Sequence, residues 1–196
     1  MSESRTDPSI FWVDPEMRGI LPLDSFHVPR SLKKVVRKGR FDVSTNSDFA
    51  AVIHACAETP REDQGTWIND QIIDAYTALH DLGIAHSVEC RVEGKLVGGL
   101  YGVSLNGVFC GESMFSHVTN ASKVALVHLV ARLKLGGGIL LDTQFVTPHL
   151  ERFGAIEIPA RHYLLRLDEA LSVTAEFPIA PSLEQVHKAI EDVLAD

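Results

Sequence analysis

The chain's 196 residues are enough for one efficient core, and at 45% hydrophobic and 22% charged residues it has the balance of an ordinary globular domain. No apolar run approaches the roughly 18 residues of a membrane span, and the start has no apolar stretch behind a basic one, so neither membrane insertion nor secretion is expected and a cytoplasmic location is. The net charge of -8 hides a basic island: residues 25–41 hold no acid but carry Arg30, Lys33, Lys34, Arg37, Lys38 and Arg40, which calls for a polyanionic partner there and a cationic one elsewhere.

Residues 1–30 carry Pro8, Pro15, Pro22 and Pro29 without periodicity and are expected to be an irregular segment wrapped on the domain. A short helix follows, with Arg30, Lys34, Arg37 and Lys38 on one face and Leu32, Val35 and Val36 inward. Residues 41–45 predict a strand. Phe49, Val52, Ile53 and Cys56 give helical spacing behind an Asn46 or Ser47 cap. Residues 70–82 predict a second amphipathic helix that stops at Gly83.

From Val88 the period becomes two. Val88, Cys90 and Val92 alternate with polar residues, Glu93-Gly94 turns the chain, residues 95–103 return, and the Asn106-Gly107 hairpin leads to residues 108–116. Residues 121–135 form a long apolar helix ended by Gly136-Gly137-Gly138, and residues 139–145 form a strand. A helical turn at 148–153 and two closing strands, 156–158 and 163–167, are expected next. Ser182-Leu-Glu-Gln185 is a capping box that opens a final amphipathic helix. Helices, an antiparallel meander, a helix and further strands make an α+β domain with the element order of the GNAT (acyl-CoA N-acyltransferase)-like fold, a mostly antiparallel sheet flanked by helices. The expected division is an N-terminal segment (1–30), a core domain (31–170) and a C-terminal linker with its helix (171–196).

Cys56, Cys90 and Cys110 are odd in number and lack a CxxC pair, so they are read as buried small hydrophobes. The nine histidines form no HxxxH or HExxH pair, and no metal is expected.

The densest stretch is Gly98 to Leu126, GGLYGVSLNGVFCGESMFSHVTNASKVAL. With Gly65-Thr-Trp-Ile68, Ala85-His-Ser-Val-Glu89, Leu140-Leu-Asp-Thr-Gln144 and residues 149–155, it resembles the bacterial leucyl/phenylalanyl-tRNA-protein transferase family, over about residues 11–167 with the blocks in the family's order. The resemblance implies a GNAT-like enzyme that moves Leu, and also Phe or Met, from aminoacyl-tRNA to proteins with N-terminal Arg or Lys. The new N-terminus then serves as a degradation signal. Leu-tRNA, Phe-tRNA, Met-tRNA and those acceptor proteins are the implied partners; no cofactor is implied, and a monomer is expected. The family carries a further lobe of roughly half a hundred residues before the segment matching Ile10 to Arg18, and that lobe is missing here. A start placed too late and a natural short form both remain open.

Asp142 and Gln144 lie two apart on a predicted strand and so share a face; from the residues alone, a cap or bridge at a strand end is the better reading of Asp142. The resemblance makes the pair catalytic, with the Gln144 carbonyl orienting the attacking amine and Asp142 holding Gln144 and favouring the developing ammonium. Glu112 ends an apolar strand beside Ser113, where a carboxylate needs a partner, either a structural cation or the aminoacyl α-ammonium. By the same resemblance, Trp67, Leu100, Phe109, Leu126, Leu129 and Leu133, with Glu112 and Ser113, line the amino-acid pocket, and Arg30, Lys33, Lys34, Arg37 and Lys38 meet tRNA phosphates. A conventional acetyl-CoA enzyme needs an Arg/Gln-x-x-Gly-x-Gly/Ala loop before the long helix. Here that junction reads His117-Val-Thr-Asn-Ala-Ser-Lys123, which argues against acetyl transfer. A non-catalytic tRNA- or N-terminus-binding module remains the alternative.

Overall fold

The computed structural model describes residues 1–2, 4–59 and 66–195. Seven strands form one sheet: β1 (Met17–Ile20), β2 (Asp42–Thr45), β3 (Ala85–Val92), β4 (Lys95–Leu105), β5 (Val108–Ser116), β6 (Leu140–Gln144) and β7 (Ile156–Pro159), in the order β2-β3-β4-β5-β6-β1-β7. The helices are α1 (Arg30–Arg37), α2 (Phe49–Glu58), α3 (Asp70–Asp81), α4 (Ala121–Leu135), α5 (Pro148–Glu151), α6 (Ala160–Ser172) and α7 (Leu183–Ala195). This is a mixed α+β fold, and among the described residues no helix is long and apolar enough to cross a membrane.

The β3-β4-β5 meander is antiparallel, as alternation and the Asn106-Gly107 turn predict. β5 and β6 are parallel, so a crossover must join them, and α4 is that crossover. It is buried nearly all round, packed on β3, β4 and β5 with α7 over it, as expected of a helix apolar on every face. A second core lies beneath α2 and α3, around Ile53, Ile72, Tyr101 and Phe115. A third, smaller one joins Ile20, Val108 and Leu140 to Tyr163 and Ala170 of α6.

Three local expectations change. Residues 17–20, expected to be irregular, form β1, inserted between β6 and β7; a four-residue strand paired on both sides needs no alternation of its own. Residues 163–167, expected to be a strand, lie in α6. Pro159 supplies the extended residue at its start, and Tyr163, Leu167 and Ala170 recur at helical spacing against the third core, while Leu164 and Leu165 remain 60% and 71% exposed. The cap of α2 is Asp48, which accepts from the Ala51 N–H at 3.1 Å. The Ser47 N–H goes instead to buried Glu89, at 2.8 Å, and Asn46 turns the chain at φ 54°. The Ser182–Gln185 capping box is present in both directions, at 2.9 and 3.2 Å.

Candidate active site

The parallel pairing of β5 and β6 stops early. Val108, Phe109 and Cys110 pair with Leu140, Leu141 and Asp142, after which the strands part. A cavity of about 740 Å³ fills the gap between them, within the size range of small-molecule sites.

Both parting strands are irregular at the cavity. On β5, Gly111 faces Gly102 and Ser113 faces Tyr101, so Glu112 is an extra, unpaired residue, a β-bulge that turns its side chain toward the gap. On β6, Asp142 faces Ile20 and Gln144 faces Gly19, which leaves Thr143 as the extra one. Gln144 itself has φ 57°, and the Phe145 N–H donates to the Thr143 carbonyl at 2.6 Å, closing a strained three-residue turn around it. A Cβ at Gly19 would lie 2.5 Å from the Phe145 backbone, so only glycine lets β1 buttress this turn.

Asp142 is fully buried, and its carboxylate is filled with donors. Oδ1 accepts Arg18 Nε at 3.1 Å and the Gln144 backbone N–H at 2.8 Å; Oδ2 accepts Arg18 Nη2 at 2.6 Å and the Tyr163 hydroxyl at 2.9 Å. The guanidinium also lies 4.8 Å from the centre of the Tyr163 ring. Burial pulls Arg18 down, but the Asp142 carboxylate outweighs it and holds the guanidinium protonated. Burial and Asp142 push the Tyr163 hydroxyl up, so it stays a donor.

The expectation that Asp142 and Gln144 share a face is therefore corrected. The left-handed turn breaks the two-residue alternation: Gln144 lines the cavity, whereas Asp142 does not and reaches Gln144 through its backbone N–H.

Of the residues expected in an amino-acid pocket, Trp67, Leu100, Glu112, Ser113, Leu126 and Leu129 line this cavity. Phe109 and Leu133 do not. Phe109 lies where the strands are still paired and stacks on Phe177 at 5.6 Å, and Leu133 lies one turn farther along α4, in the core. Gly65 falls outside the described residues. Glu112 hydrogen-bonds the Tyr76 hydroxyl. Burial raises its pKa, opposed by that bond, by Arg18 and by the Met1 amino group, while Asp142 adds to the rise. Cys110, free and half-buried on the same wall, is pushed up to about 12, first by burial.

On the outer surface, Arg30 and Lys34 of α1 and Lys38 just after it line a shallow groove with Ser31 and Val35. Lys33 is half-buried, and Arg37 is drawn to Glu191 of α7, Nη2 to Oε2 at 3.1 Å.

Sequence reasoning missed Arg18, Tyr76, Tyr163, Thr143 and His149. The first three reach the site from elements distant in the chain, and no local pattern marks them.

Residues 20–168 match the sequence profile of the family described as leucyl/phenylalanyl-tRNA protein transferase. The chain belongs to that family. Proteins named leucyl/phenylalanyl-tRNA--protein transferase are 56% identical to it in Paramagnetospirillum magneticum, over 90% of this chain and 85% of that protein, and 56% identical in Maricaulis maris, over 92% and 84%. In Phenylobacterium zucineum the figure is 55%, over 90% and 80%. A solved structure of a functionally unknown conserved protein from Staphylococcus epidermidis aligns with a TM-score of 0.48 at 11% identity, over 73% of this chain and 57% of that one, a likeness too weak to assign a fold or a function. The matched region of the transferase runs from Ile20 in β1 to Asp168 in α6, so it takes in Glu112, Asp142, Gln144 and Tyr163, with Arg18 just outside it.

Proposed function

We propose that this transferase moves leucine, and also phenylalanine or methionine, from aminoacyl-tRNA to the α-amine of proteins beginning with Arg or Lys, marking them for N-degron proteolysis in the cytoplasm. The observation that carries the reading is one cavity that presents Glu112 and Gln144 together with an apolar wall. The relatives' names supply tRNA and protein as the two substrates.

In the reaction the amine nitrogen attacks the ester carbonyl, the carbon–nitrogen bond forms, and the bond to the ribose oxygen breaks. The proton lost by the amine ends on that oxygen. An α-amine with a pKa of about 7.7–8.0 is partly neutral at pH 7, and the ester is already activated, so positioning can supply most of the acceleration and no cofactor is required. Trp67, Leu100, Leu126 and Leu129 take the aminoacyl side chain, backed from the core by Phe109 and Leu133. Glu112, beside Ser113, takes its α-ammonium. The Gln144 side-chain carbonyl accepts from the attacking amine, and Asp142 acts from behind as a positioning residue that fixes the Gln144 backbone.

The early parting of the parallel pair supports a GNAT-like transfer domain, which takes in β1 from residues 1–30 and α7 from residues 171–196 as well as residues 31–170. Arg30, Lys34 and Lys38, with Lys33 and Arg37 beside them, meet tRNA phosphates without reading bases.

Transfer of radiolabelled leucine from Leu-tRNA to a protein beginning with Arg tests the reading. Label is expected on acceptors beginning with Arg or Lys and not on one beginning with Ala. Binding of tRNA without any transfer would make the chain a binding module instead.

A further inference from the structure

The cavity is electrically lopsided. Glu112 and the Tyr76 hydroxyl stand on one wall, suited to an ammonium group. The part of the lining formed by the end of β6 and the start of α5 holds Thr143, Thr147 and His149. Thr147 is occupied, since its Oγ1 accepts the Leu150 N–H that starts α5. Thr143 Oγ1 and His149 Nε2 are not: both atoms are shielded from solvent and neither has a hydrogen-bond partner among the described residues.

Two unpaired polar atoms on one wall are costly unless a ligand satisfies them. Their placement is built. Thr143 is the extra residue of β6, and the His149 imidazole is held edge-on against Phe153 at 5.4 Å between ring centres. A neutral imidazole nitrogen and a hydroxyl suit a group that both gives and takes hydrogen bonds, as a ribose hydroxyl beside an ester oxygen does.

The charges nearby choose between the two substrates. Burial first, and then Lys123 and Arg152, lower the His149 pKa and keep the ring neutral. Two cations at this end disfavour an acceptor that brings an α-ammonium and an Arg or Lys side chain. They favour a phosphodiester.

We propose that Thr143 Oγ1 and His149 Nε2 hydrogen-bond the free ribose hydroxyl and the neighbouring ester-bearing ribose oxygen of the terminal nucleotide of aminoacyl-tRNA, with Lys123 and Arg152 facing that nucleotide's phosphate. The inference rests on the cavity being the aminoacyl-transfer site. It orients the ester, with the amino-acid ammonium at Glu112, the ribose at Thr143 and His149, and the carbonyl between them near Gln144. A hydrogen bond from this pair to the ribose oxygen supports that oxygen as its bond to the carbonyl breaks and it takes up the amine's proton.

The test is direct binding to the 196-residue chain, by calorimetry, of an uncleavable phenylalanyl-adenosine joined through a 3′-amide, made with and without the 2′-hydroxyl and the 5′-phosphate. Losing the 2′-hydroxyl should weaken binding to the unaltered chain by about tenfold, the size of one hydrogen bond, and should cost Thr143→Val or His149→Gln under about twofold further. Losing the phosphate should matter to the unaltered chain and not to Lys123→Ala combined with Arg152→Ala. The proposal is overturned if the unaltered chain ignores the 2′-hydroxyl, if the variants remain as sensitive to it as the unaltered chain, or if the variants bind the amide as tightly as the unaltered chain. Because binding is read without turnover, loss of the transferase reading would appear separately, as an unaltered chain that binds the amide but moves no leucine.

Discussion

Arg18 and Asp142, 124 positions apart in the chain, meet in a two-point ion pair, Nε to Oδ1 at 3.1 Å and Nη2 to Oδ2 at 2.6 Å. The same Oδ1 accepts the Gln144 backbone N–H, so a cation from β1 helps to fix a cavity-wall residue at the end of β6. This makes the pair both a structural bond and a positioning device.

Removing one partner of a buried pair leaves an uncompensated charge. Arg18→Met should cost about 3–5 kcal/mol of stability, read as a fall in the urea midpoint at unchanged slope. The double variant Arg18→Met with Asp142→Leu should recover part of that loss, and equal midpoints for all three chains would refute the assignment.

Gln144 holds its left-handed turn at about 1–3 kcal/mol of backbone strain. Gln144→Gly should therefore raise thermal stability by roughly 1 kcal/mol while lowering kcat at least tenfold. A glycine variant that is less stable than the parent, or equally active, would contradict the strained-turn account.

The raised pKa of Glu112 sets a sign for pH dependence. The folded chain binds this proton more tightly than the unfolded chain, so the group's effect on stability worsens as pH rises from the unfolded value of 4.5 through the raised folded value, and then levels off. Glu112→Gln should remove that descending limb. An aminoacyl ammonium needs the ionised carboxylate, so KM for aminoacyl-tRNA should fall as pH rises through the same window in the parent and stay flat in Glu112→Gln. Matching profiles for both chains would exclude Glu112 as the ammonium's partner.

The α1 groove separates its cations. Replacing Arg30, Lys34 and Lys38 with Ala should flatten the salt dependence of tRNA binding by about 0.7–0.9 log units for each phosphate left without its cation. Arg37→Ala should change the slope less, because Glu191 already neutralises that guanidinium. An unchanged slope in the triple variant would move the tRNA path elsewhere.

Much of this protein is legible in its sequence. The period-two run from Val88, the Asn-Gly turn and the Ser182 capping box fix their elements through interactions between near neighbours, and those elements form as expected. The cationic face of α1 follows from helical spacing alone. The sequence blocks that resemble the transferase family also single out Glu112 and Gln144, which do line one cavity.

Tertiary structure decided what depends on distant partners. β1 is a strand because β6 and β7 flank it, and residues 163–167 are helical because Tyr163 and Leu167 reach the core beneath the sheet only at helical spacing. Local pattern placed Asp142 and Gln144 on one face; the bulge at Thr143 and the left-handed turn at Gln144 put them on different ones. Sequence periodicity encodes the regular strand, whose side chains alternate. A bulge exists only relative to the strand beside it, and so the chain alone singled out Glu112 and Gln144, while pairing with β4 and β1 decided which way they point and folding brought in Arg18, Tyr76 and Tyr163.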